Sequence, residues 1–264
     1  MVRGLYVAAN SLVVQEACHD TIATNLANVS TPGYRRAVTS VEAFPVALAR
    51  AVSQSGAFPQ ASADQPAPVT HLSARQTTDF TPGLQQPTDN PCDLALDGPG
   101  FFVVEAAAGE AYTRCGSFTL DSEQYLATSS GHRLLGAAGP IKVSGHEWRV
   151  NPSGDVICDG AVLDRVRVVD FDSRAALSRL GENLFSAGGP PPAGGAPPAG
   201  AAAPAPTPQQ NPSIRQGYIE SSNVNAVSEM VNLITAMRAF EANQKVVQAM
   251  DQTLDRAVNE VGRV

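Results

Sequence analysis

The chain has 264 residues, enough for one large domain or two smaller ones, and an ordinary apolar fraction of 43%. Its formal net charge of −7 and pI near 5.1 argue against a nucleic-acid-binding protein, which needs a basic surface. No run of about 18 apolar residues is present, so we expect no transmembrane helix. Polar residues interrupt the first 28 positions, so we expect a cytosolic protein or one exported without a cleaved signal.

The first predicted element is an amphipathic helix over roughly residues 3 to 29. Its apolar residues recur at intervals of three and four, which places them on one face. Thr31, Pro32 and Gly33 are predicted to stop this helix and turn the chain, because proline lacks the amide hydrogen and disfavours helical geometry in the residue before it. The predicted apolar face comprises Leu5, Ala8, Leu12, Ile22, Leu26 and Val29.

Polar residues around the end of this helix allow more than one interpretation. Asn25 and Asn28 are candidates for amide contacts between helices, which cost stability but can fix the register of the helices. The pair Arg35-Arg36 is too short for a nucleic-acid-binding patch. It is either a solvated loop or a contact to the acidic surface of a neighbouring subunit.

Residues 92–187 are predicted to form an antiparallel β domain, because short apolar runs alternate with Gly, Asp, Ser and Pro every eight to twelve residues. Residues 37–91 are polar and weakly periodic, and we interpret them as an extended connector with a strand or two. The stretch Asp97-Gly98-Pro99-Gly100 is predicted to be a turn. No second carboxylate stands in a defined relation to Asp97, so glycosidase chemistry has no support there.

Residues 188–212 contain nine prolines and no charged residue, which predicts a flexible linker. The polar cluster Ser221-Ser222-Asn223 then precedes a helix of roughly 38 residues, about 57 Å long. The mostly apolar residues along one side of this helix recur at alternating intervals of three and four, which is typical of coiled coils. The predicted contact positions are Met230, Leu233, Met237, Phe240, Gln244, Val247, Leu254 and Val258.

The predicted fold class is therefore α+β. Long N- and C-terminal helices, residues 1–36 and 213–264, are expected to form a coiled-coil-like assembly domain around a central antiparallel all-β domain with extended connectors. Each helix is long and has one apolar face, so we expect the helices to bury these faces by pairing with each other and with copies from other chains. This pattern predicts an oligomer.

The candidate chemical groups do not form a recognisable site in the sequence. The four cysteines, Cys18, Cys92, Cys115 and Cys158, are scattered, and we interpret them as small buried thiols, with one disulfide as the alternative. The four histidines are equally scattered, which disfavours zinc. We predict no catalytic residue, no metal site and no cofactor.

Three segments resemble the axial proteins of the bacterial flagellum, the basal-body rod and hook group. They are NLANVSTPGY at 25–34, LALDGPGFFVV in the β region together with YTRCGSFTLDSEQYLAT, and the long stretch from Ser221 to Arg263. The opening MVRGLYVAANSL and the ending RAVNEVGR look closest to the proximal rod protein, with the distal rod protein second and the longer hook protein third.

The resemblance implies a structural, non-enzymatic rod subunit that polymerises through its terminal helices into a hollow axial shaft. Its implied partners are copies of itself, other rod and hook subunits, and the flagellar type III export apparatus, with no nucleic acid and no membrane insertion. The implied location is the basal-body rod that spans the periplasm, reached without a cleaved signal peptide. The Pro-rich 188–212 stretch departs from the family pattern.

Two alternatives stay open at this point. One is a distal rod or hook subunit of the same group. The other is a secreted β-domain enzyme or carbohydrate-binding module carried on oligomerising helices, which would need a cleft with converging carboxylates or aromatic residues. Only one tryptophan, Trp148, and no ordered acidic pair are visible in the sequence.

Overall fold

The structure is a computed structural model that describes residues 2–43, 72–106, 109–144, 148–172, 174, 177–187, 205–209 and 212–261. Within these ranges, the side chains of residues 2–7, 42–43, 72–73, 254, 257–258 and 260–261 are not described. The predicted linker 188–212 lies mostly outside the described residues, as does much of the predicted connector 37–91. None of the helices in the described ranges is both long enough and apolar enough to cross a membrane.

The chain divides into two compact units. The first, called here the helix unit, is drawn from Met1–Ala27, Ala37–Asp79 and Asn225–Val264. The second, called here the β unit, is drawn from Asn28–Arg36 and Phe80–Val224.

The helix unit contains the helices α1 (Val2–Ala27) and α2 (Ala226–Val261) and the antiparallel strands β1 (Ala37–Ala43) and β2 (Leu72–Thr78). Helix α2 begins where the Asn225 side chain accepts a hydrogen bond from the Ser228 N–H at 3.1 Å, an N-cap that satisfies a free amide of the first turn. It then continues for 36 residues without an interior glycine or proline.

Polar side chains take part in the contact between the two helices. The Gln15 amide donates a hydrogen bond to the Ala236 carbonyl at 3.4 Å and accepts one from the Asn243 side chain at 2.8 Å. One turn further along α1, the His19 ring meets the Phe240 ring edge to face, with centroids 6.1 Å apart. Helix α1 also packs against β1 and β2.

The prediction of a coiled-coil-like helical domain is wrong. In the part of the chain that the structure describes, one helix lies at each end of a predominantly β structure, and the helix unit includes the β1–β2 sheet as well as the helix pair. The predicted contact positions Met230, Met237 and Gln244 are exposed, while Gln15 and Asn243 supply polar contacts between the helices. Phe240, another predicted contact position, meets His19 of α1, so the predicted set combines a position that faces α1 with positions that are exposed. The antiparallel β domain agrees with the prediction.

Every strand pair that the structure describes in the β unit is antiparallel. Its strands are β3 (Gln85–Pro87), β4 (Leu94–Leu96), β5 (Phe101–Ala106), β6 (Gly109–Thr113), β7 (Phe118–Leu120), β8 (Leu126–Thr128), β9 (Arg133–Leu134), β10 (Trp148–Val150), β11 (Asp155–Cys158), β12 (Ala161–Arg165), β13 (Val168–Asp170), β14 (Ser178–Gly181), β15 (Leu184–Ser186), β16 (Thr207–Pro208), β17 (Ile214–Gln216) and β18 (Tyr218–Glu220).

The largest sheet of the β unit runs in the order β14-β15-β6-β5-β9-β8-β7, and β13 pairs with both β5 and β16. A three-stranded sheet has the order β10-β11-β12, and two further pairs join β17 to β4 and β18 to β3. The last two pairs connect the segment before α2 to the segment that enters the β core.

Strand β5 is buried on both faces and separates two hydrophobic clusters. Successive side chains of a strand point to opposite faces. Phe102 and Val104 accordingly join a cluster with Phe118, Leu126 and the strands around them, while Phe101 and Val103 join a second cluster that contains Phe171 and Phe185. This explains the uninterrupted apolar run Phe101-Phe102-Val103-Val104, which an amphipathic strand would not show.

Candidate functional site

The junction segment, residues 28–36, is where the chain leaves α1 and enters the β unit. It is compact: the Thr31 N–H donates to the Asn28 carbonyl at 3.2 Å, and the Tyr34 N–H donates to the Thr31 carbonyl at 3.3 Å. The Thr31 hydroxyl also donates to the Asn28 side chain. Helix α1 ends at Ala27, so these turns replace the helical hydrogen bonds that Pro32 cannot continue.

Gly33 lies where the junction segment comes closest to the β core. Its φ of 68° is in the left-handed region, and a Cβ atom there would overlap the backbone of Arg114 and Cys115. Its N–H donates to the carbonyl of Glu220 at 2.7 Å. Only glycine allows this approach without displacing the strand region around Arg114.

Tyr34 is buried beside the guanidinium of Arg179, whose central carbon lies 4.8 Å from the centre of the tyrosine ring. The same guanidinium donates a hydrogen bond to the carbonyl of Arg35 at 2.6 Å. Arg179 in β14 therefore fixes both the side chain of Tyr34 and the backbone that follows it.

Arg35, Arg114 and Glu220 form a buried charge cluster. Arg35 Nη2 lies 2.6 Å from Glu220 Oε1, and Arg114 Nη1 lies 3.4 Å from Glu220 Oε2, with all three side chains at most 6% exposed. Arg35 Nη1 also donates to the Thr81 carbonyl at 2.9 Å, and the Gly83 N–H donates to Glu220 Oε1 at 2.8 Å. One carboxylate thus serves two cations.

Burial determines the electrostatics of this cluster. Desolvation lowers the pKa of Arg114 to about 10, against the attraction of Glu220, and the neighbouring positive charge of Arg35 acts in the same direction as burial. Arg114 further donates to the carbonyls of Leu96 and Gly98. The guanidinium stays charged at neutral pH and is held by acceptors on two sides.

Asn223 joins the junction segment to the residues that precede α2. Its side-chain oxygen accepts a hydrogen bond from the Arg36 N–H at 2.7 Å, and its side-chain amide donates to the Thr81 carbonyl at 3.0 Å. Its backbone N–H donates to the Tyr34 carbonyl at 3.4 Å. The arrangement is a structural junction built from ion pairs and backbone hydrogen bonds.

A cleft of about 550 Å³ lies beside the cluster, lined in part by Phe80, Leu84, Asp97, Arg114 and Glu220. Both of its carboxylates are engaged by guanidinium groups, because Arg215 holds Asp97 at 3.0 Å and the cluster holds Glu220. Asp97-Gly98-Pro99-Gly100 connects β4 to β5. These pairings favour a structural role for the two carboxylates over acid–base chemistry.

The four cysteines are free thiols, and Cys158 is buried. Burial raises the pKa of the thiols of Cys18, Cys92 and Cys115, and the charge of Asp93 adds to this effect at Cys92 and Cys115. Across the described ranges, no group of three or more His, Cys, Asp or Glu side chains is placed to hold a metal ion.

Comparison with known proteins places the chain in a family. Residues 215–260 match the family described as flagellar basal body rod FlgEFG protein C-terminal, and residues 95–158 match the flagellar hook protein FlgE/F/G D1 domain. The flagellar basal-body rod protein FlgG of Buchnera aphidicola subsp. Schizaphis graminum is 31% identical over 97% of this chain and 98% of its own length. The chain belongs to the flagellar basal-body rod protein family.

Other relatives agree with this assignment. The flagellar basal-body rod protein FlgF of Escherichia coli is 31% identical over 95% of this chain and 93% of its own, and the flagellar hook-basal body complex protein FlhO of Bacillus subtilis is 30% identical over the whole of both chains. The predicted family and the predicted function, a structural subunit of the flagellar basal-body rod, are thereby confirmed. Relatives named FlgG and FlgF match at the same identity, so the proximal position stays a prediction.

The structure places the predicted interface residues of this rod-family chain in different surroundings. Along α1 and just beyond it, Asn25 is buried and its side chain pairs with the backbone of Ala37. The half-buried positions are Leu12, Ile22, Leu26, Asn28, Val29, Thr31, Pro32, Leu233, Phe240 and Val247, while Gly33 is buried. Met230, Met237 and Gln244 are exposed. The side chains of Leu5, Leu254 and Val258 lie outside the described residues, and the assignment of the whole set to an assembly interface stays a prediction.

Sequence reasoning missed the buried charge cluster. Both interpretations of Arg35-Arg36 placed these side chains at a surface, whereas Arg35 is buried within its own chain. An arginine after a Pro-Gly turn is typical of a solvated loop, and its partners come from positions 114 and 220. No local pattern in a single sequence connects these three positions.

Proposed function

We propose that this rod subunit polymerises by burying an exposed apolar face of α2 against neighbouring subunits. The partners are other copies of the chain and other rod and hook subunits, and the product is the hollow axial shaft that transmits torque and conducts exported subunits. The basal-body location follows from the family, and we extend it to a rod that spans the periplasm.

The observation that carries this proposal is the exposed α2 stripe. Its members recur at intervals of three and four near the start of α2, and each is about half exposed or more. Single exposed apolar residues are normal on a protein surface, but a contiguous apolar patch marks an interaction site. The stripe comprises Val227 (67%), Met230 (46%), Val231 (58%), Ile234 (53%) and Met237 (52%).

The proposed contact uses the helices in two ways. Leu233, Phe240 and Val247 on α2 are half-buried within the subunit, whereas the exposed α2 stripe is available to another chain. The predicted α1 positions Leu12, Ile22 and Leu26 are also only half-buried. We therefore extend the proposed interface to both helices, with the exposed α2 stripe as its most accessible part.

Three further parts of the proposal follow from the family resemblance. The subunit acts without catalysis, it occupies the proximal rod with the distal rod as the alternative, and it leaves the cytoplasm through the flagellar type III export apparatus without cleavage. Ordering of long terminal segments on assembly, with its entropy offset by subunit contacts, suits a chain that is exported unfolded.

A matched pair of variants tests the interface. Val231→Asp places a charge in the exposed α2 stripe, and Val162→Asp places the same charge at an equally exposed valine of β12 in the β unit (58% against 63% exposed). We expect Val231→Asp to be absent from isolated basal bodies and to abolish motility, because a charge would be desolvated in the contact. Val162→Asp should assemble normally, and both purified variants should melt like the native chain.

Assembly of Val231→Asp at the native level would show that the stripe is not the interface. The same preparations test the export route. The intact mass of the chain recovered from basal bodies should include its N-terminal residues, and a shortened mass would contradict uncleaved export.

A further inference from the structure

We propose that Glu220 is a latch that makes two distant segments of the chain become ordered together. One is the junction segment, residues 28–36, and the other is the entry segment, residues 217–224, which leads to α2. Neither segment holds its native conformation in the β unit without the other.

The contacts of Glu220 reach both segments and the β core. Its carboxylate lies 2.6 Å from the Arg35 guanidinium of the junction segment and 3.4 Å from the Arg114 guanidinium of the core. Its backbone carbonyl accepts the Gly33 N–H at 2.7 Å. One residue of the entry segment therefore contacts the junction segment through both its side chain and its main chain.

Because these charges are buried, each segment needs the charged partner that the other segment supplies. A buried carboxylate is tolerated only while its cations and hydrogen-bond donors are in place, and removal of one partner leaves an uncompensated charge. Without the junction segment, Glu220 retains the hydrogen bond from the Gly83 N–H, but Arg114 at 3.4 Å is the one cation left beside it among the described residues. Without the entry segment, Arg35 and Arg114 face each other with no carboxylate between them.

Arg35 depends on Glu220 more than a surface arginine would. Its Nε atom has no hydrogen-bond partner among the described residues, and Nη2 meets Glu220 as an ion pair without hydrogen-bond geometry. Only Nη1 has a second acceptor, the Thr81 carbonyl. The charge of Arg35 is thus compensated by a single carboxylate that belongs to the other segment.

Hydrogen exchange of single amides in the full-length chain tests the latch. The informative amides are those whose acceptors lie outside the opposite segment: Tyr34, which donates to Thr31, and Ser221, which donates to Leu84. Leu126, which donates to Ile141 in the core, reports whether the β unit stays folded.

Arg35→Met removes the charge from the junction segment and keeps an apolar stem of similar reach. We expect it to accelerate exchange at Ser221 by about a hundredfold, because loss of one partner of a buried ion pair is strongly destabilising. Glu220→Gln should accelerate exchange of the Tyr34 amide by a similar factor. Arg215→Gln removes the exposed pair with Asp97 from the same region and should leave both amides at their native rates.

Native exchange at Ser221 in Arg35→Met, with a folded core, would overturn the proposal. If either variant also loses protection at Leu126, its β unit is unfolded and the comparison of variants is uninformative. Amide exchange of the unmodified chain in low concentrations of denaturant then tests the proposal. Tyr34 and Ser221 should then open with one free energy and one denaturant dependence, and different dependences for the two amides would overturn the latch.

Discussion

At the scale of single residues, the junction segment is held by side chains whose environments leave few substitutes. Gly33 combines a left-handed backbone with contact against the backbone of Arg114 and Cys115. Tyr34 and Arg35 are both buried, and Arg179 contacts each of them. Three consecutive residues are therefore constrained in a segment that looks like an ordinary surface loop in the sequence.

Gly33→Ala should destabilise the β unit by about 3 kcal/mol. Two costs add up, because alanine is strained at a positive φ and its Cβ atom would displace the backbone of Arg114 and Cys115. Gly131→Ala is the matched control, because Gly131 also has a positive φ of 86° but no atom within 4 Å of the added carbon. It should cost about 1 kcal/mol. Urea unfolding of both variants measures the difference, and equal costs would contradict the proposed crowding.

At the scale of secondary structure elements, α1 is joined to β1 by the side chain of Asn25. Its amide nitrogen donates to the Ala37 carbonyl at 2.8 Å, and its oxygen accepts from the Ala37 N–H at 2.9 Å. The Thr21 and Thr39 hydroxyls make a further contact at 2.6 Å between the same elements. A helix residue thereby takes the place of a neighbouring strand for one residue of β1.

Asn25→Ala should lower the stability of the helix unit by about 3 kcal/mol, since it leaves a buried backbone donor and a buried acceptor at Ala37 unpaired. The Ala37 amide should exchange faster with solvent. Asn259→Ala, which removes an exposed amide that pairs with Asp255 on α2, serves as control and should change stability by less than about 0.5 kcal/mol. A slow Ala37 amide in Asn25→Ala would show that another group satisfies it.

The elements themselves were largely predictable, and their partners were not. The stripe of α1, the uninterrupted length of α2 and the turn-separated strands of the β region are local patterns, and the structure contains an element at each. The 3-4 spacing of α2 does not distinguish Phe240, which meets α1, from the exposed Met230. It also gives no sign of the polar contacts that Gln15 makes with Ala236 and Asn243. The Arg35–Glu220 pair depends on the complete fold, which no local pattern contains.

At the scale of the whole molecule, the core of the β unit is formed without residues of the helix unit. Both hydrophobic clusters of the core are drawn from within Phe80–Val224. The junction segment belongs to the same unit and supplies Tyr34 and Arg35 to it. The unit therefore contains the contacts that a stable domain needs.

A chain that ends at Val224 should consequently keep a folded β unit while losing the capacity to enter rods. Near-ultraviolet circular dichroism and slow amide exchange in β5 should survive the truncation, because Phe101 to Val104 retain their neighbours. A truncated chain that binds hydrophobic dyes and loses protection in β5 would show that α2 is required for the β core.

The contact between Arg35 and Glu220 closes a loop that contains almost the entire β unit and the Pro-rich stretch 188–212. The entropy of closing a loop grows only with the logarithm of its length, so a stretch of this size adds about 0.1 kcal/mol to the closure of such a long loop. Changes in the length of residues 188–204 therefore have almost no thermodynamic cost for the junction, whereas β16 (Thr207–Pro208) pairs with β13 and is needed in the sheet. Homologous subunits should differ more in length within 188–204 than between Arg35 and the first core strand.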